Sequence, residues 1–187
     1  LLKGKEPEVA YRKSYYEIDG VPLGEKKIWL QDDYVKFIRL AQYFIDRSST
    51  GVIGYISNNG YLDNPTFRGM RWQLLQSFDR ALFINLHGST KKKETAPDGS
   101  IDQNVFDIEQ GVAICLLRNL SKNKHDSVQL EHIYGLREKK IKWLLRRNLV
   151  SNDEITFQPF PPFYFFHNRD DALGPEYRSF FGLHEII

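Results

Sequence analysis

The sequence of 187 residues contains one cysteine, and its five histidines are scattered. A single cysteine excludes an internal disulfide, and Cys115 lies in an apolar run where a small buried thiol is expected. The histidines show no metal-ligand spacing. The sequence also lacks a glycine-rich phosphate loop, a dinucleotide fingerprint and a serine nucleophile elbow. It therefore predicts no metal site and no complete catalytic centre.

Long apolar runs and a strong charge of one sign are missing too. No stretch approaches the roughly 20 apolar residues of a membrane span, and residues 1–13 lack the apolar segment of a signal peptide. We therefore expect a cytoplasmic protein without a membrane partner. The net charge is +2, from 26 basic and 24 acidic residues. Because this balance is nearly neutral, any surface that attracts nucleic acid has to be local.

The apolar pattern predicts an open α/β sheet. Strands are predicted at 51–57, 81–86 and 111–118, and residues 128–133 alternate as an edge strand would. Helices are predicted at 32–47, after Asn64-Pro65, and at 136–149. The expected inward side chains of the first helix are Tyr34, Phe37, Ile38, Ala41, Phe44 and Ile45.

Four segments follow from this pattern. Residues 1–33 are expected to form an irregular connection with a short hairpin at Asp19-Gly20. Residues 34–120 form the core, and residues 121–158 supply the edge strand and a basic helix. Residues 159–187 begin with prolines that forbid a helix or a central strand, so they are expected to form a connector rich in proline and aromatic residues.

Three blocks carry a resemblance to a known family. They read WLQDDYVKFIRLAQ, GVIGYISNNGYLDNPTFRGMR and NVFDIEQGVAI. In this order they resemble the adenine-specific DNA methyltransferase module of type ISP restriction–modification enzymes, which carry helicase and methylase on one polypeptide. The resemblance implies the C-terminal half of a Rossmann-like, S-adenosylmethionine-dependent methyltransferase sheet with a closing antiparallel strand. It runs from about residue 30 to about residue 170.

The resemblance also implies what is needed besides this chain. The family binds double-stranded DNA, flips the target adenine out of the helix and grips its amino group with an Asn-Pro-Pro-Tyr motif. That motif and the glycine-containing turn that meets the cofactor lie upstream in the family, and this sequence contains neither. No catalytic residue is therefore assigned. S-adenosylmethionine is expected in the intact parent and not on this piece alone. The expected partners are DNA, the upstream half of the domain and a target-recognition domain after the connector.

One family role falls on Phe106. The family places an aromatic residue before its last strand, against the face of the flipped adenine, and the matching position in NVFDIEQGVAI is Phe106. Stacking on an aromatic ring contributes about 1–3 kcal/mol per base and leaves the reacting edge of the base free. The alternative is an ordinary core aromatic beside a strand.

Basic residues supply the candidate DNA contacts. Lys91, Lys92 and Lys93 lie in a polar loop between two strands, and Lys140 and Arg146 lie on the predicted basic helix. Phosphate contacts dominate such binding. The alternatives are a solvated loop and a solvated surface helix.

A function of another class remains open at this point. The chain could be a non-catalytic α/β module that binds nucleic acid or protein through the Lys91 loop and the basic helix. If it is instead half of a sheet, it leaves a hydrophobic edge and an uncovered face. We then expect self-association through that edge, or residues 1–33 as a cover.

Overall fold

The computed structural model describes residues 14–120, 127–147, 155–168, 176, 179 and 180. The start of the predicted connecting segment (1–13), the end of the third predicted helix (148–149) and most of the connector beyond residue 168 lie outside the described residues. Within the described part, no helix is long and apolar enough to span a membrane.

The chain forms a mixed five-stranded sheet with helices on both faces. In chain order the elements are β1 (Glu17–Ile18), β2 (Val21–Pro22), α1 (Asp33–Ser48), β3 (Gly51–Asn58), α2 (Arg68–Ser77), β4 (Arg80–His87), β5 (Val112–Asn119), β6 (Val128–His132), α3 (Arg137–Arg146) and β7 (Ile155–Phe157). The predicted α/β class and the strands predicted at 51–57, 81–86 and 111–118 are confirmed, but β3 lies at one edge of the described sheet rather than at its centre. β1 and β2 form the hairpin expected at Asp19-Gly20.

The strand order is β3-β5-β4-β6-β7. β5 runs antiparallel to both β3 and β4, and β4 runs parallel to β6. β3, β4 and β6 therefore point the same way, and their carboxyl ends meet at one end of the sheet. The prediction that residues 128–133 form an edge strand is wrong, because β7 pairs with β6 on its outer side.

Side chains alternate between two packed layers, as the strand pleat requires. One face carries Phe83, Cys115 and Leu130 and is covered by α1 and α2. The other face carries Ile84, Leu86 and Val112 and is covered by Trp143 and Leu144 of α3. Cys115 is buried as predicted, and burial raises the pKa of its thiol to about 11. A thiol that stays protonated at neutral pH is unreactive.

The start of the second helix follows the predicted signal. The Asn64 side chain accepts a hydrogen bond from the Thr66 N–H at 3.0 Å, and Pro65 occupies the first position of a 3₁₀ turn, Pro65–Phe67, that leads into α2. Asn caps the free N–H groups, and Pro has none to satisfy.

The first helix buries only part of the predicted face. Ile38 is buried, and Tyr34, Ala41 and Ile45 pack against the core as expected. Phe37 and Phe44 are exposed instead, while the polar Arg39 and Gln42 are buried. Gln42 accepts a hydrogen bond from the Tyr15 hydroxyl at 2.8 Å and donates to Ser77 Oγ and the Gln73 carbonyl of α2. This buried polar network orients α1, so its second apolar face points away from the described core.

Candidate nucleic-acid interface

The candidate site lies where the carboxyl ends of β3, β4 and β6 meet. Open α/β sheets bind ligands at this edge. Asn58 ends β3, His87 ends β4 and His132 ends β6. The loop 102–111 enters β5 from the same edge, because β5 is antiparallel to its neighbours. We call this loop the aromatic loop, after Phe106.

Asn104 holds the aromatic loop in shape. Its side-chain amide donates to the carbonyls of Ile108 (3.0 Å) and Gln110 (2.7 Å), and its Oδ1 accepts from the Phe106 N–H (3.0 Å). The loop rests directly on Gly88, where an added Cβ would lie 2.5 Å from the Asn104 Cα. Gly88 also has a φ of +81°, which favours glycine.

Phe106 is exposed on the aromatic loop. Its exposed fraction is 46%, the same as that of Ile108 two residues later. Val105, the residue before Phe106, packs instead against the apolar cluster under α3. The alternative of an ordinary core aromatic therefore does not describe Phe106, because the residue is exposed rather than buried.

The three lysines lie beside the aromatic loop. Lys91, Lys92 and Lys93 are all exposed. The Lys91 N–H donates to the Glu109 carbonyl at 3.4 Å, and the Ser89 hydroxyl donates to the same oxygen at 3.3 Å. These bonds join the lysine loop to the aromatic loop. The ammonium of Lys92 lies 3.8 Å from the Asp63 carboxylate, and both groups are largely exposed.

The structure corrects the predicted basic helix. Lys140 is fully buried, and its ammonium bonds to groups inside the protein, so it offers nothing to a DNA phosphate. The hydrophobic pattern counts every lysine as a surface residue. The long apolar stem of Lys140 can nevertheless be buried while its ammonium finds partners inside the protein. Arg146, at the last turn of α3, is exposed as expected.

Two histidines that the sequence separates by 45 positions meet at the same edge. His87 Nε2 lies 2.7 Å from His132 Nδ1, and His87 Nδ1 lies 2.6 Å from Glu94 Oε1. Tyr134 stacks on His87 with ring centroids 4.0 Å apart. Sequence analysis missed this cluster because it looked for ligands close in sequence. The available signal was that each histidine ends a strand, and that parallel strands end together.

Hydrogen bonding fixes the protons of this cluster when both rings are neutral. A carboxylate only accepts, so His87 Nδ1 donates to Glu94 and His87 Nε2 accepts from His132 Nδ1. Burial, with His87 and His167 nearby, lowers the pKa of His132 to about 4. Burial alone would raise the pKa of Glu94, but hydrogen bonds from His87 and the Ser89 N–H outweigh it and lower that pKa. Among the described residues, no group of three or more His, Cys, Asp or Glu side chains could hold a metal ion.

The His132 pKa predicts how stability depends on pH. The unfolded chain binds a proton at His132 near pH 6.5, and the folded chain does so only near pH 4. Between these values the unfolded state holds more protons, so the free energy of unfolding falls as pH falls, by at most about 1.4 kcal/mol per pH unit from this group. Urea denaturation between pH 7 and pH 4.5 measures the slope, and His132→Asn keeps a donor while removing the titration. An equal slope in His132→Asn would assign the effect to other groups.

No protein-family model matches the chain, and none of the curated proteins matches it. Solved structures do match. A DrdV–DNA complex shares the fold, with 22% identity over 73% of this chain and a TM-score of 0.62. A nuclease-deletion mutant of the type ISP restriction–modification enzyme LlaGI, in complex with a DNA substrate mimic, is 25% identical over 78% of this chain, with a TM-score of 0.65. The ATP-dependent type ISP restriction–modification enzyme LlaBIII bound to DNA is 25% identical over 78%, with a TM-score of 0.60.

This chain spans only a small part of each of those proteins. It covers 13% of the DrdV chain, 14% of the LlaGI chain and 10% of the LlaBIII chain. The likeness therefore concerns one region of much longer proteins.

Proposed function

We propose that this chain forms the later strands of an adenine-specific DNA methyltransferase module in a restriction–modification enzyme. The observation that carries the proposal is the half-exposed Phe106 on a braced loop at the carboxyl edge of the parallel strands. The exposed lysines 91–93 lie next to it, where they would contact the phosphates of bound DNA. The structural likeness to DNA-bound type ISP enzymes supports the same context.

At the carboxyl edge, the side chains of Asn58, Asn59 and His87 already have hydrogen-bond partners within the protein. Asn58 accepts from the Gly60 N–H at 2.7 Å, and Asn59 donates to Asn85 at 3.0 Å. We propose that S-adenosylmethionine and the grip on the adenine amino group belong to the upstream half. This part supplies one wall of the adenine pocket and the DNA contacts around it.

The test is made in the intact parent enzyme. Replacing Phe106 with Ala removes the stacking surface, so methyl transfer and base flipping should fall by roughly 5- to 150-fold, the equivalent of one stacked base. Phe106→Tyr and Phe106→Trp keep an aromatic face and should retain much of both. Turnover is measured with a radioactive methyl donor, and flipping by the fluorescence of 2-aminopurine at the target position.

Ile108→Ala is the matched control, because Ile108 lies on the same loop with the same exposed fraction. It should leave both readouts near wild type. Equal activity of the Ala, Tyr and Trp variants at Phe106 would contradict the proposed role.

The exposed Lys91–Lys93 loop favours one alternative, a module that binds nucleic acid without catalysis. A steep loss of DNA binding with added salt by this chain alone would support that alternative.

A further inference from the structure

The buried Lys140 anchors the aromatic loop to the sheet. Its ammonium donates to the carbonyl of Leu86 on β4 (2.6 Å) and to the carbonyl of Gln103 (2.6 Å), and it lies 2.8 Å from Asp102 Oδ1. These three acceptors satisfy all three protons of the ammonium. Burying a charge is costly unless it is paired and hydrogen-bonded, and this one is both. Two of the three acceptors belong to residues that immediately precede Asn104, the residue that shapes the loop.

Arg137, one turn earlier on α3, holds the same loop on the other side. Its Nε donates to the Asn104 carbonyl at 2.8 Å, and its Nη2 lies 2.6 Å from Asp107 Oδ1. Its backbone N–H donates to the Gln103 side chain at 3.1 Å. The contacts fall at residues 103, 104 and 107, so they bracket Phe106.

Together these bonds connect α3 to Phe106 across the sheet edge. Asp102 Oδ1 also accepts from the Gly135 N–H at 2.7 Å, and the Gln103 N–H donates to the Gly135 carbonyl at 3.0 Å. The start of the loop is thus tied to both the turn before α3 and to α3 itself. Beyond residue 104, Asn104 and Arg137 hold the part of the loop around Phe106, and the lysine loop holds Glu109.

We propose that Arg137 and Lys140 are positioning residues that hold the Phe106 ring in the place where a flipped base stacks on it. This inference rests on the proposed function, because it assigns a purpose to the loop only if Phe106 receives a base. α3 then contributes to DNA modification through the loop it holds, rather than through the phosphate contact predicted for Lys140.

The experiment is a double-mutant cycle in the intact parent enzyme. Arg137 is partly exposed, so Arg137→Gln should fold normally while it releases the Asn104 carbonyl and Asp107. We expect kcat and the 2-aminopurine signal to fall roughly 3- to 30-fold, a value inside the range of coupling between residues in contact, with DNA affinity and melting temperature close to wild type. Arg137→Lys, which can reach one of the two partners, should recover part of the loss. Lys142→Gln, an exposed change of equal charge on the same helix, is the control.

The cycle separates a role through Phe106 from an independent role. If Arg137 acts by placing the ring, Arg137→Gln should add no further loss to a Phe106→Ala enzyme. A loss that persists in the Phe106→Ala background, or no loss in the wild-type background, overturns the inference while the proposed function stands. No effect of Phe106→Ala by itself overturns both.

A second variant tests the anchor. Lys140→Met alone would leave the Asp102 carboxylate buried without its cation, so it is combined with Asp102→Asn. The double variant should keep its circular dichroism spectrum and lose base flipping in the manner of Arg137→Gln. Unchanged flipping in a folded Lys140→Met/Asp102→Asn enzyme would overturn the anchoring role of Lys140.

Discussion

Replacing Arg71 with methionine should lower the free energy of unfolding of this chain by about 3 kcal/mol, because several buried carbonyls would lose their donor at once. Arg71 is fully buried on α2. Its guanidinium donates to the carbonyls of Tyr61 (2.7 Å) and Asn64 (2.9 Å), and twice to that of Phe163 (3.0 and 2.7 Å). Burial lowers the pKa of Arg71 to about 9, which still leaves it charged at pH 7.

The loss should be specific to a planar, multidentate donor. Arg71→Lys keeps the charge but offers a compact ammonium that does not span three carbonyls, so it should recover only part of the stability. Arg47→Met is the control, because Arg47 is exposed and contacts Tyr43 on the same helix; such a surface change is usually within about 0.5 kcal/mol. Urea denaturation of the four proteins measures the differences. Equal stability of Arg71→Met and Arg47→Met would contradict the structural role.

Arg71 also holds the segment after β7 against the core. Phe163 belongs to the proline-rich segment after β7, and Phe165 lies under the guanidinium, 5.1 Å from its carbon. Phe166 stacks on Phe83 of the core at 4.7 Å, and its N–H donates to the Leu62 carbonyl. Arg71 therefore fixes the direction in which the chain leaves the sheet.

The elements that the sequence predicted correctly are those determined by local patterns. Apolar runs located β3, β4 and β5, and the Asn64-Pro65 pair located the start of the second helix, because capping and strand burial depend on neighbours in sequence. The resemblance, rather than any local pattern, singled out Phe106. The structure adds that its ring is exposed on a loop shaped by Asn104.

The features that sequence reasoning missed depend on polar groups that become buried. Arg39, Gln42 and Lys140 all count as surface residues in a hydrophobic pattern, yet each is buried. Gln42 and Lys140 satisfy their polar atoms with partners more than 25 positions away. The His87–His132 contact was missed for the same reason, because its two residues are far apart in sequence. Only the topology, which brings the ends of parallel strands together, reveals such contacts.

The free edge of β3 should make this chain self-associate when it is produced alone. β3 pairs with β5 only among the described strands, so its other side carries no described strand. An apolar groove runs along this side and is lined by Phe37, Leu40, Phe44, Ile45, Val52 and Tyr55. Phe44 and Val52 are each 61% exposed. Exposed strand edges and large apolar patches promote association.

Sedimentation over a range of protein concentrations should therefore reveal dimers or larger species. Phe44→Lys and Val52→Lys together remove two apolar anchors worth about 1.5–3 kcal/mol each, so the association constant should fall at least 100-fold. Leu145→Lys is the matched control, because Leu145 is 81% exposed on α3, away from this groove. A chain that stays monomeric at every concentration would contradict the prediction, as would loss of association in Leu145→Lys.

The same groove allows a test of whether the upstream half of the proposed domain pairs with β3. α1 overhangs the edge of β3 with Phe37 and Phe44, so a further strand paired with β3 would lie under an apolar cover that is already in place. In the proposed parent, the upstream half of the domain supplies that strand. Adding the upstream half as a separate polypeptide should then suppress self-association and protect the β3 amides from hydrogen exchange. The Phe44→Lys/Val52→Lys pair should weaken this complex as well, because both partners compete for one edge.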